Sequence, residues 1–165
     1  MERKDNTIMR KLILCLLFLS TEYYAMDEGY LSTNVNEKNN HGEMNLKQAM
    51  EYLEDRKYFS CIEKLNEFQI LYPNHPSMMK SLQILSTAYK KLQKWDKVVE
   101  IELKLYKDYP ETEEGLIAYL NAGKAYIRIG KEIQAKKIFE YIISKENTSK
   151  ISKEAELELQ LINLL

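Results

Sequence analysis

The chain has 165 residues, enough for one domain with a usable core, and 45% hydrophobic with 30% charged residues is the balance of a soluble globular protein. A net charge of −1 removes any global bias towards nucleic acid or an anionic membrane, and only five Gly and three Pro favour helix. Of the two cysteines, Cys15 falls in a leader-like stretch, so a processed chain would hold Cys61 alone, which excludes an internal disulfide or a cysteine metal site.

Residues Met1–Ala25 have the order of a secretory signal. Basic Arg3, Lys4, Arg10 and Lys11 precede the apolar run Leu12–Leu19, and a polar stretch ends at Ala25. The run is far shorter than the ~20 residues that span a bilayer. Export is the expectation, with Met9 as an alternative start. A retained N-terminal apolar segment is the other reading. Lipidation at Cys15 is disfavoured, because Leu14 stands where a small residue is needed. Met26–Glu43 is polar and Asn-rich without helical periodicity, which predicts a flexible linker over 26–43. His41 in that stretch and His75 in a turn lack the spacing of metal ligands.

Residues 44–165 repeat with a 37-residue period. Tyr52, Tyr89 and Tyr126 share one register position; Ala49, Ser86 and Gly123 share another, always small. Tyr72-Pro73 matches Tyr109-Pro110. Each unit reads as two helices. In the second unit Ser77 is the expected N-cap of a helix to about Leu92 with Leu82, Leu85, Ala88 and Tyr89 on one face. Asp96 is the expected cap of its second helix, which Pro110 stops. The first unit repeats this with Leu46–Asp55 and Tyr58–Tyr72. The third places Tyr119, Ala122, Gly123, Tyr126 and Ile129 on one helix face, breaks at Gly130, then carries Ile133, Ala135, Ile138, Phe139 and Ile142. One hairpin cannot bury both its faces, so the units must stack. The repeats cover about 44–75, 77–110 and 114–147. A capping helix over 149–165 is expected to begin around Ser152 and to cover the last repeat with Leu157, Leu161, Ile162 and Leu165, leaving Leu159 and Leu164 aside.

The third unit resembles the tetratricopeptide repeat (TPR): Tyr119, Ala122-Gly123, Tyr126, Gly130, Ala135, Phe139 and Ile142 match its aromatic, small, aromatic, Gly, Ala, aromatic and apolar signature. The second unit departs at Glu102, where an aromatic is usual. The resemblance implies an all-α, right-handed superhelical stack of helix-turn-helix units with a capping helix. The segments FQILYPNHPS and LKLYKDYPET further resemble repeat ends in the family of BamD, the outer-membrane assembly lipoprotein, and of its periplasmic relative YbgF/CpoB. That implies a periplasmic protein, possible at the inner face of the outer membrane, working as an adaptor. Its partner would be BamA-like periplasmic domains or another envelope protein, with membrane association through the N-terminus or the partner. A YbgF/CpoB-like coordinator of Tol and wall synthesis, and a membrane-tethered TPR scaffold, are the alternatives.

In such a stack the first helix of each hairpin lines the concave side. Positions off the core stripe should face the groove: Leu46, Met50, Leu53 and Glu54 in the first unit, Lys80, Gln83, Thr87, Lys90 and Lys91 in the second, and Ile117, Leu120, Lys124, Ile127 and Arg128 in the third. A groove basic in its middle with apolar flanks suits a segment bearing carboxylates and apolar anchors. Solvated surface lysines are the plain alternative. The tyrosines sit at packing positions, and Cys61 falls on a core face, which predicts an inert thiol. No HExxH, GxSxG or glycine-rich phosphate loop occurs. The sequence therefore calls for no catalytic residue, cofactor, metal or nucleic acid.

Overall fold

A computed structural model describes residues 37–145 and 149–164, all of them helix or short connections. The expected leader, the first part of the expected linker and Leu165, expected on the capping face, lie outside the described residues. Helix α1 spans 37–54. It is followed by α2 (Tyr58–Leu71), α3 (Met78–Lys91), α4 (Trp95–Asp108), α5 (Glu113–Arg128), α6 (Glu132–Lys145) and α7 (Lys150–Leu164). Residues 37–43, expected in the linker, are helical. They are mostly exposed, so they carry no apolar stripe by which a sequence could betray them.

From Gly42 onward the helices pack in sequence, each against the next. The second helices of the hairpins start at Tyr58, Trp95 and Glu132, a strict 37-residue register. Each hairpin turns in the same way. Arg56, Gln93 and Gly130 occupy equivalent sites and all adopt positive φ, at 61°, 55° and 71°. Around them the same two bonds recur. Lys57, Lys94 and Lys131 donate their N–H groups to the carbonyls of Tyr52, Tyr89 and Tyr126. Arg56, Gln93 and Gly130 donate theirs to Leu53, Lys90 and Ile127. This is the double-bonded, left-handed helix end that satisfies orphan carbonyls, and glycine adopts it without steric cost.

The helix starts differ from the expected caps. Ser77 makes no side-chain cap; the Ser77 N–H donates to Nδ1 of His75 at 3.1 Å. His75 is buried, its ring packed on Phe68 and Tyr72, and the Ser77 hydroxyl reaches Glu43 instead. At α4 the capping position falls on Lys94, without a side-chain bond, and Asp96 lies inside the first turn. Helix α7 starts before Ser152, whose N–H donates to Oγ of Ser149 at 3.0 Å. Thr112 caps α5 through the Gly115 N–H. Gly115 itself is required there, because a Cβ would lie 1.8 Å from the Tyr109 carbonyl oxygen.

Two main cores run through the stack. Leu46, Cys61, Leu65, Phe68, Leu82 and Leu85 fill the first; Leu116, Leu120, Ile138, Phe139, Ile142 and Ile162 fill the second. At the tightest crossing a Cβ on Gly123 would meet the Phe139 ring at 2.5 Å, which is why the register demands a small residue there. Burial pushes the Cys61 thiol up to about 11, so it stays protonated and unreactive at neutral pH. Ile133 leaves its expected face and is 71% exposed. It sits roughly 140° round the helix from Ile138, off the buried stripe. Leu157 and Leu161 are also outside the core: Ile151, Ala155 and Ile162 cover the last repeat, with Leu159 half-buried beside them. No helix among the described residues is long and apolar enough to cross a membrane.

Candidate protein-binding face

The first helices of the second and third hairpins, α3 and α5, both pack against α4. Between them lies a depression of about 130 Å³. Gln83, Thr87, Lys90 and Ile117, four of the expected groove residues, line it together. Asn121 and Glu114 complete its α5 wall, and Glu102 and Leu105 of α4 contribute to its lining. The wall therefore offers amides, a hydroxyl and one exposed isoleucine. Those groups can hydrogen-bond a peptide backbone and seat an apolar side chain. Lys80 and Lys91 are exposed near the two ends of α3.

Other expected groove residues are placed differently. Leu120 is buried, because α7 packs across the end of the stack and draws it into the second core. Ile127 is half-buried against the same core. The Arg128 guanidinium lies 5.7 Å from the centre of the Trp95 ring, a cation–π contact that ties α5 to α4. In the first unit Leu46 is buried and Leu53 packs on the core, whereas Met50 is half-buried and Glu54 exposed.

The groove is not basic in its middle, because its central lysines carry internal counter-charges. Glu102 occupies the register position of Leu65 and Phe139 and is only 3% exposed. It accepts from the Ser86 hydroxyl at 2.7 Å and from Nζ of Lys90 at 2.5 Å. A small-residue and aromatic contact in the third repeat, Gly123 on Phe139, is thus replaced in the second by a hydrogen-bonded serine, glutamate and lysine. Lys124 is held in the same manner by α7, through Glu154 and, at 3.6 Å, Glu158.

Two larger depressions, of about 500 and 290 Å³, lie at the Tyr-Pro loops. Their charged groups include self-paired ones, Lys104 with Asp108 and Lys145 with Glu111. Among the described residues no group of three His, Cys, Asp or Glu side chains could hold a metal.

The sequence reading missed Asn121, Glu114 and the α7 contribution. The signal for the last was available, since α7 starts 37 residues after α5 and continues the register.

No protein-family model and no curated protein matches the chain. Solved structures do. The Arabidopsis OM64 TPR domain superposes with a TM-score of 0.57 at 15% identity, covering 74% of this chain and 97% of that one. The first TPR of Spaghetti (RPAP3), bound to the HSP90 peptide SRMEEVD, gives 0.53 at 20% identity, covering 74% and 90%. The TPR2AB domain of yeast Sti1 in complex with pHSP90 gives 0.56 at 14% identity, covering 75% and 49%. The fold is therefore that of TPR domains, an all-helical superhelical stack.

Proposed function

We propose that the chain is a non-catalytic adaptor that binds a protein segment on its concave face and works at the bacterial cell envelope, in outer-membrane β-barrel assembly. The observation that carries the binding reading is the open depression between α3 and α5, lined by Gln83, Thr87, Ile117 and Asn121 on a fold whose structural neighbours hold HSP90 peptides. TPR folds are in general interaction modules, which favours a binding role over catalysis. The envelope placement rests on the leader at Met1–Ala25 and on the Tyr-Pro repeat ends, which resemble BamD. The same repeat ends are shared with YbgF/CpoB, which keeps a Tol and wall-synthesis partner as the second reading.

Purified BamA-like periplasmic domains are the probe. They should be retained by the immobilised chain and lost with Ile117→Glu and Thr87→Trp, both at exposed sites, each variant keeping the parent's circular-dichroism melt. Retention indifferent to both substitutions removes the groove from the account. Failure of these domains alongside retention of Tol-system proteins moves the function to the second reading.

A further inference from the structure

A buried carboxylate persists in a fold where donors and a counter-charge satisfy it. Glu102 is 3% exposed and lines the depression between α3 and α5. Ser86 and Lys90 both bond to the same oxygen, Oε1. Oε2 takes no hydrogen bond from any described residue. An ionised carboxylate accepts through both oxygens, so Oε2 remains an acceptor for an incoming donor. On the α5 wall Glu114 is exposed and forms no ion pair among the described residues. The charged lining is therefore one ammonium, Lys90, against two carboxylates. Lys80 and Lys91, exposed near the two ends of α3, are not part of it. The equivalent register positions Leu65 and Phe139 are apolar, so among the three hairpins this arrangement belongs to the second.

We propose that this depression is a recognition pocket for one arginine side chain of the bound protein segment; this deepens the groove reading and rests on it. Its volume of about 130 Å³ is below the ~300–1,000 Å³ of sites that hold whole small molecules, and suits a single side chain. Buried Leu105 and Ala118 belong to the lining and offer an apolar track for the aliphatic stem. A guanidinium carries five N–H donors in a fixed fork, which supplies Oε2 of Glu102, the Glu114 carboxylate and the amide oxygens of Gln83 and Asn121. Its charge balances that of the lining. A carboxylate entering instead would have to take Lys90 from Glu102 and would face Glu114. An apolar side chain would cover Oε2 without supplying a donor. Ile117, 40% exposed in the same lining, then seats the apolar neighbour of the arginine.

The test uses the full chain and three synthetic peptides that share one polar host sequence with a central leucine. The residue beside the leucine is arginine, citrulline or glutamate; citrulline keeps the stem and shape of arginine without its charge. Fluorescence anisotropy should show the arginine peptide binding at least about tenfold more tightly than either of the others. Thr87→Trp, which fills the depression, should abolish that binding. Glu114→Gln, at an exposed site, should weaken it about threefold with an unchanged circular-dichroism melt. Ser86→Ala with Glu102→Leu removes the buried carboxylate and leaves Lys90 unpaired, so preference should pass to the glutamate peptide. Equal affinity for the arginine and citrulline peptides overturns the inference, as does a preference of the parent chain for glutamate. An arginine preference that survives Thr87→Trp, or that neither Glu114→Gln nor the double substitution moves, also overturns it. Binding of none of the three peptides does the same. The groove is judged separately by the captured partner domains. Their release by Thr87→Trp without any arginine preference keeps the groove and removes the pocket, whereas capture that persists in Thr87→Trp removes both.

Discussion

At the scale of single residues, the most informative departure is Glu102. A carboxylate in the slot that Phe139 fills elsewhere is stabilised by Ser86 and Lys90. Removing one member of a buried pair strands the other, at a cost of ~3–5 kcal/mol, whereas replacing the polar set with well-packed apolar groups is often neutral. Lys90 is a third exposed, which softens the first figure. Lys90→Met should therefore destabilise the fold by roughly 2 kcal/mol. Ser86→Ala with Glu102→Leu, which copies Ala49 and Leu65 of the first repeat, should match or exceed the parent. Urea midpoints measure both; a double variant less stable than Lys90→Met contradicts the assignment. The sequence flagged Glu102 as out of pattern and Lys90 as off the core stripe. It could not pair them, because their meeting depends on how α3 crosses α4. The same reasoning bears on charge reversal as a probe of binding. At Lys90 or Lys124 it would set carboxylate against carboxylate inside the fold and mix stability with function.

At the scale of elements, the helix-to-helix turns show what local pattern does and does not reveal. Gly130 announced its turn, since glycine suits a left-handed end. Arg56 and Gln93 hold the same conformation without that signal, and only the 37-residue register exposes them. Both carry strain that glycine would relieve. Arg56→Gly and Gln93→Gly should each raise stability by up to ~1 kcal/mol, and Gly130→Ala should lower it by about as much. Nothing lies within 4 Å of a Cβ built on Gly130, so its substitution reads the backbone alone. Thermal midpoints that fall with the glycine substitutions would show these turns to be unstrained. Helix starts were less legible than helix ends. Ser77 and Asp96 are good capping types, yet the bonds went to His75 and to no side chain, because the Tyr-Pro loop decides which residue sits at the boundary. The polar beginning of α1 was illegible for a simpler reason, the lack of any buried stripe from 37 to 41.

For the whole molecule, the repeat period, the small and aromatic positions and the order of helices were legible, because stacking hairpins need the same contacts in every copy. The concave side was legible as a set of register positions. Its occupancy was not. Leu120 disappears under α7 and Lys124 is neutralised by it, both consequences of the end of the stack, which local periodicity does not report. The proposed binding face is the depression lined by Thr87 on α3 and Ile117 on α5. The opposite surface, on the second helices, bears isolated exposed apolar groups such as Phe59 and Ile133, and single exposed apolar residues are ordinary on a protein surface. Photo-crosslinking separates the two sides directly. With benzoylphenylalanine placed singly at Thr87, Ile117, Phe59 and Ile133 in the producing cell, the account predicts one and the same protein adduct from the first two positions and none from the last two. Adducts from Phe59 and Ile133, with Thr87 and Ile117 silent, would contradict it.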